Sequence, residues 1–409
     1  MKKSLLVLVA IGLSLASLAD LIDRSGGFKI GERMTLRPYV SLSMTYDSNV
    51  RSRHDGGDGD CLWSISPAAS LAYDAESWSL LLSGYYNYRQ YFKSENNTHN
   101  HHSLGEDLRW NWANSTGTEK GWSLVIGQSY KRILYCDDLV VGNDGHNYSG
   151  DTQQFQFSGA LQRRLNEFWH GDANAQYYWL NYVDDAAATR YYGWDRWGAG
   201  LELGFAPSRW TDIIISGSYY GYEQDNTTGT SISSSSQGYS LHAGIGSYMT
   251  DRISYRLLGG MSCFEYAGGA SKSQSFTYSA SANWKIGETW NMMLLGSAYY
   301  QPSERQRASS SRVDAISWGL AKVMIRGKLR GTLDIRYRRE TNEHVSNSSA
   351  DYVLNIVTGR IGLNYSLCRF LSAFGYVEYQ RCWNDEAELR NYAYDYDRFR
   401  ATIGLTLTY

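Results

Sequence analysis

Proline is scarce, at 4 in 409 residues, so little interrupts a strand ladder, because proline deletes one of its hydrogen bonds. The cysteines, Cys61, Cys136, Cys263, Cys368 and Cys382, include no C-x-x-C pair, which argues against a thiolate zinc site. One or two disulfides stay open in an oxidising compartment, and spacing alone cannot pair them. Charge of one sign is also missing: the formal net charge is -2, and without a basic tract or basic helix nothing points to nucleic acid. No G-x-x-x-x-G-K-[ST], H-E-x-x-H or G-x-S-x-G element occurs, which removes the commonest phosphate-binding, metalloprotease and hydrolase signatures. No cofactor and no catalytic residue is expected.

One apolar run stands out, at the start. Met1-Lys2-Lys3 is followed by Leu5 to Leu13 and then by Ser17-Leu18-Ala19 ahead of Asp20. A positive stretch, an apolar stretch and a small-x-small site predict a secretory signal peptide over residues 1–19. The run is too short for a spanning helix, which needs about 20 apolar residues, and no cysteine follows the cut to take a lipid. After it no segment is apolar enough to cross as a helix. The mean hydropathy of -0.45 suits a soluble protein, and equally a membrane barrel, where half of each strand faces a wet lumen.

The chain is rich in 34 Tyr, 14 Trp and 40 Gly. Tyr and Trp concentrate at membrane interfaces, where the ring meets lipid and the polar tip meets water. From residue 34 onward a period of two dominates. Leu36, Val40, Leu42, Met44 and Tyr46 alternate with Arg37, Tyr39, Ser41, Ser43 and Thr45; at the other end Phe399, Ala401, Ile403, Leu405, Leu407 and Tyr409 alternate with Arg400, Thr402, Thr406 and Thr408. Successive strand side chains point to opposite faces, giving one oily and one polar face. Roughly eighteen such segments of about 10–14 residues follow one another, the length a tilted strand needs to cross a bilayer. Their cores fall near 34–46, 62–73, 78–91, 103–112, 121–133, 152–163, 172–182, 194–205, 212–223, 238–249, 252–264, 274–286, 289–301, 313–325, 328–340, 352–366, 370–382 and 397–409.

The connections alternate long and short. Short ones include 74–77, 250–251, 287–288 and 326–327; long ones include 47–60, 92–102, 135–150, 224–237, 302–312 and 384–395. Bacterial outer-membrane barrels have short periplasmic turns and longer extracellular loops. Tyr73 with Trp78, Trp112 with Trp122, and Trp284 with Trp290 flank short turns as an aromatic girdle would. Propellers and sandwiches use shorter strands and a repeated motif, and the sequence shows neither. The expected fold is all-β: a single transmembrane antiparallel barrel of about eighteen strands (16–18) over 34–409, preceded by a short periplasmic segment, 20–33. That segment is too short for a plug domain. The final aromatic, Tyr409, is the expected assembly signal for the barrel assembly machinery. Outer-membrane lipids, including lipopolysaccharide, are the other expected partners.

The element Tyr46-Asp47-Ser48-Asn49-Val50 closes the first strand. It resembles the aromatic-Asp-x-Asn-apolar motif of the second-type β-barrel porin family of outer-membrane proteins. That resemblance implies an outer-membrane barrel associated with exopolysaccharide or envelope functions, and it carries over no catalytic residue.

Little else reads as chemistry. His99-Asn100-His101-His102, at the end of a long loop, could bind a metal but reads better as a solvated polar stretch. His242 is the one strand-borne histidine that a barrel enzyme could use, and a lone lumenal histidine fits a wet wall better. The polar face is more telling. Extending each alternation places Arg37, Arg89, Arg109, Lys131, Arg256, Arg330, Arg336, Arg338, Arg360 and Arg400 inside, against fewer acids, Asp107, Glu202, Asp334 and Glu378. Basic pore linings favour anions, either small anions or acidic glycans, although the same arginines could pair with lumenal acids and stiffen the wall. Inward Tyr39, Tyr85, Tyr178, Tyr220 and Tyr299 could stack on sugar rings or only fill space. Three functions fit this surface: a passive porin for small polar, anion-leaning solutes, an export channel for an acidic exopolysaccharide, and a closed adhesive or structural barrel.

Overall fold

The computed structural model describes residues 27–50, 59–93, 101–113, 121–134, 152–182, 194–208, 210–224, 234–247, 252–266, 272–302, 310–343, 352–384 and 395–408. The predicted signal peptide, Tyr409, Cys136 and the 250–251 turn lie outside them. Among the described residues nineteen strands form one sheet. β1 (Phe28–Ile30) precedes β2 (Met34–Asp47), and β3 (Asp60–Asp74), β4 (Trp78–Tyr91), β5 (His101–Ala113), β6 (Trp122–Leu134), β7 (Thr152–Arg164), β8 (Trp169–Tyr182) and β9 (Trp194–Ser208) follow. The second half holds β10 (Thr211–Gln224), β11 (Ser234–Gly246), β12 (Ile253–Tyr266), β13 (Lys272–Ile286), β14 (Trp290–Pro302), β15 (Ser310–Ile325), β16 (Leu329–Glu343), β17 (Tyr352–Ser366), β18 (Leu371–Asn384) and β19 (Tyr396–Thr408).

Each strand from β2 pairs antiparallel with the next, and β19 returns to β2 through Arg400↔Asp47 to Thr408↔Tyr39, closing an 18-strand barrel. Closure gives each of β2 to β19 a neighbour on both sides, so most backbone polar groups of the described strands meet a partner. β1 is the strand that alternation did not predict, because three residues are too few to show a period. It pairs Phe28↔Leu36 to Ile30↔Met34; since β3 holds the other edge of β2, β1 continues the line of β19. Several ends also shift: β8 starts at Trp169, and β11 covers Ser234–Gly246 rather than 238–249.

The oily face points outward. Leu201, Leu241, Ile361 and Ile403 are 69%, 64%, 61% and 68% exposed, on strands whose alternate residues face the lumen. Such a continuous apolar surface cannot face water stably at about 25 cal/mol per Å². Tyr73 stacks on Trp78 at 4.7 Å beside the first short turn, and Gly287 takes φ 63° in the β13–β14 turn, where a left-handed residue is needed.

The wall bends tightly at β8–β12. Glu202 of β9 and Arg256 of β12 meet across β10 and β11 through both guanidinium Nη atoms. His170 of β8 bonds Asp212 of β10 at 2.9 Å, passing over Gly204 of β9. A Cβ at Gly204 would lie 2.1 Å from His170 Nε2 and 2.9 Å from Asp212 Oδ1. Gly204→Val is therefore expected to separate the pair and lower stability by about 1–3 kcal/mol. Gly217→Val is the control, since its Cβ would come no nearer than 3.9 Å to its closest neighbour. Urea unfolding midpoints of the two variants check this; equal midpoints would refute it.

Candidate lumenal site

Strand register decides which charges the lumen presents. Residues directly opposite in a ladder share a face, so facing can be followed around the whole barrel from Thr45, which bonds Thr402 inside at 2.7 Å. On that count all ten predicted basic residues point inward, as do Asp107, Glu202, Asp334 and Glu378.

Their surroundings differ. A row of alternating sign crosses the closure: Asp334 lies opposite Arg360, Arg360 opposite Glu378, Glu378 opposite Arg400 and Arg400 opposite Asp47. Arg400 reaches Glu378 at 2.8 Å, and the Arg360 guanidinium lies 3.7 Å from the centre of the Tyr376 ring. Opposite charges facing each other stabilise a sheet pair, so Arg360 and Arg400 belong to the wall as much as to the pore. Arg256 corrects the sequence expectation further: it is 7% exposed and tied to Glu202, so it offers no open positive charge.

The remaining predicted cations have no acid directly opposite them. Arg336 stands between Ser317 and Thr358, Arg330 between Val323 and Asn364, and Arg338 between Ala315 and Ile356, with Glu340 on its own strand at 3.4 Å. On β4–β6, Arg89 faces Ser64, Arg109 faces Leu81 and Gly127, and Lys131 faces Gly105 and Gln154. Arg109 donates from Nε to Asn111 Oδ1 at 3.2 Å, a neutral partner. Arg37 lies opposite Ser70. Two basic strips thus stand on β4–β6 and on β16, on either side of the closing strands.

Sequence reading missed the most buried pair. Arg398 of β19 and Asp47 are each 1% exposed and meet at 2.5 Å, with Arg398 Nε donating to Asp47 Oδ2 at 2.9 Å. The alternation that placed Arg400 inward also places Arg398 inward, two residues away. The Tyr46–Val50 element explains itself here. The Asn49 amide donates to Asp47 Oδ1 at 3.1 Å, Asn49 Nδ2 donates to the Asp397 carbonyl at 3.0 Å, and Val50 packs with Leu62 and Tyr91. The element fastens the first strand to the last.

Other expectations change as well. His101 and His102 lie in β5 rather than in a loop, and Tyr86 hydroxyl bonds His102 Nδ1 on the outer face; His99 and Asn100 lie outside the described residues. His242 is buried, with Nε2 2.8 Å from Thr277 Oγ1, so no solute reaches it directly. Cys61, Cys263, Cys368 and Cys382 form no disulfide with one another among the described residues. Tyr220 packs edge-on to Tyr222 rather than presenting an open ring face.

No protein-family model matches the chain, and no curated protein matches it in sequence. Solved structures similar to it include the siderophore receptor PirA of Pseudomonas aeruginosa, with 10% identity, 93% of this chain and 81% of that one covered, and a TM-score of 0.43. The FrpB iron transporter of Neisseria meningitidis (F3-3 variant) gives 11% identity and a TM-score of 0.47; 89% of this chain matches, spanning 63% of FrpB. The outer membrane protein OpdK of P. aeruginosa gives 12% identity, 91% of this chain, 99% of that one, and a TM-score of 0.44.

Proposed function

We propose that the chain is a bacterial outer-membrane channel whose lumen favours anionic solutes. The observation that carries this reading is the pair of inward basic strips, Arg89, Arg109 and Lys131 on β4–β6 and Arg330, Arg336 and Arg338 on β16, whose ladder partners carry no carboxylate. A positive lining lowers the barrier for anions and raises it for cations. The outward apolar face supports residence in a bilayer, and residues 1–19 would direct the chain across the inner membrane. The short turns then lie in the periplasm, with assembly by the barrel machinery and contact with lipopolysaccharide. Membership of the second-type porin family rests on the Tyr46–Val50 element.

Purified protein in a planar bilayer is expected to give discrete conductance steps, with a reversal potential under a salt gradient that reports anion preference. Steps with cation preference would overturn the selectivity, and a folded protein with no steps would overturn the open channel. An acidic polysaccharide exporter would use the same lining. It is distinguished by block of the ion current by an added polyuronate at concentrations where a neutral glucan of equal length does nothing.

A further inference from the structure

The oily outer face is interrupted at mid-height on β5 and β6. Facing followed from Thr45 turns the even-numbered residues of both strands outward. Glu106 therefore stands on the outer face between Leu104 and Leu108, midway between His102, which is opposite Tyr88, and Trp110. That is the middle of the apolar band, not its headgroup edge. Gln128 is the diagonal neighbour of Glu106 on β6, and strand tilt brings the two to nearly one depth. Glu106 is exposed and Gln128 half-buried. The ladder neighbours of Glu106 are Gly84 and Tyr130, and those of Gln128 are Leu108 and Phe157. Among the described residues neither side chain has a hydrogen-bond or ion-pair partner. Level with them, other strands present apolar residues such as Leu42, Leu201, Leu257, Leu294, Ile361 and Ile403, each at least 45% exposed.

A carboxylate in hydrocarbon without a donor is costly. Lipid amines lie with the headgroups, and Arg132 stands four residues above Gln128, toward them. The donor must come from another chain at the depth of Glu106. Copies of one chain in an outer membrane insert in one orientation and to one depth, so a second copy can offer only what its own wall carries at that level. Among the described outward residues the amide there is Gln128. A twofold axis along the membrane normal, beside β5 and β6, sets β5 of one copy against β6 of the other. Each Glu106 then meets a Gln128, twice per pair. Small outward residues flank the two: Ala69 and Gly84 on one side, Gly159 and Ala175 on the other. A Cβ at Gly159 would meet nothing within 4 Å. Such a surface lets a second wall come close.

We infer that the outer face of β5–β6 joins two copies of this chain in the membrane, with Glu106 accepting a hydrogen bond from Gln128 of the partner subunit. The inference rests on the barrel lying in a bilayer. The test uses the full protein in phospholipid vesicles, with a benzophenone amino acid at position 126, beside Gln128, or at position 294 on the far wall. Light should give lipid adducts from position 294; if it does not, the bilayer reading itself fails. Position 126 should give a crosslinked dimer whose adducts, mapped by mass spectrometry, fall on β5–β6 of the second copy. Gln128→Glu sets acid against acid and should lower the dimer yield at least tenfold. The exchange Glu106→Gln with Gln128→Glu should restore it to within threefold of the parent. A parent that gives no dimer, adducts on other strands, a Gln128→Glu yield equal to the parent, or an exchange that does not rescue would each overturn the contact. Heat-dependent electrophoretic mobility identifies the folded barrel. If Gln128→Glu does not fold, Glu106→Leu takes its place, with a several-fold loss of dimer expected and an unchanged yield overturning the contact.

Discussion

Asp47→Ala is expected to destabilise the barrel by about 3–5 kcal/mol, the cost of leaving a buried charge without its partner. Arg398 and Asp47 are both 1% exposed, so water cannot solvate the guanidinium once the carboxylate is gone. The loss falls at the junction of the first and last strands, which Asn49 also fastens through the Asp397 carbonyl. Removing the charge from both sides should restore part of the stability, because the desolvation cost disappears with it. The double variant Asp47→Leu with Arg398→Met is thus expected to be more stable than Asp47→Ala alone. Urea midpoints, read by the loss of the compact electrophoretic form, check both statements. A midpoint for Asp47→Ala within error of the parent would show that the pair contributes nothing to closure.

Arg336→Glu is expected to produce the largest change in ion selectivity of any single lumenal substitution. Its ladder neighbours are Ser317 and Thr358, Asp334 interacts with it from two residues along its own strand, and reversal changes the local charge by two units. The reversal potential should move toward cation preference, with Arg109→Glu doing the same from the other strip. Arg256→Glu should behave differently. It would place an acid against Glu202 in a buried site and report as poor folding before any change of selectivity. Arg360→Glu is intermediate, because Asp334 and Glu378 stand on either side of it. If Arg336→Glu leaves the reversal potential unchanged in a conducting barrel, the basic strips do not govern permeation. Lower ionic strength should enlarge the effect, since the Debye length grows from about 8 Å at 0.15 M to about 30 Å at 0.01 M.

The sequence alone was enough for the barrel and for the facing of its side chains. A period of two is a local property of an extended backbone, legible in any ten residues, so β2 to β19 and the inward direction of the ten basic residues could be read from it. The Tyr73–Trp78 pair beside the first short turn was legible too, because its residues lie close in sequence. The tertiary structure decided whether a given inward charge is cancelled, because that depends on register between strands. Arg360 and Arg336 look alike in sequence; Asp334 happens to fall opposite one and Thr358 opposite the other. Distance along the chain hid the Asp47–Arg398 pair, whose partners are separated by 351 positions and meet only because the barrel closes. Curvature was hidden too: Arg256 is silenced by Glu202 from a strand three places away, which needs the tight bend at β8–β12. The length of the β13–β14 ladder, which runs from Ser279↔Ser297 to Ile286↔Trp290, leaves no trace in the alternation either, because pairing between strands is a property of the assembled wall.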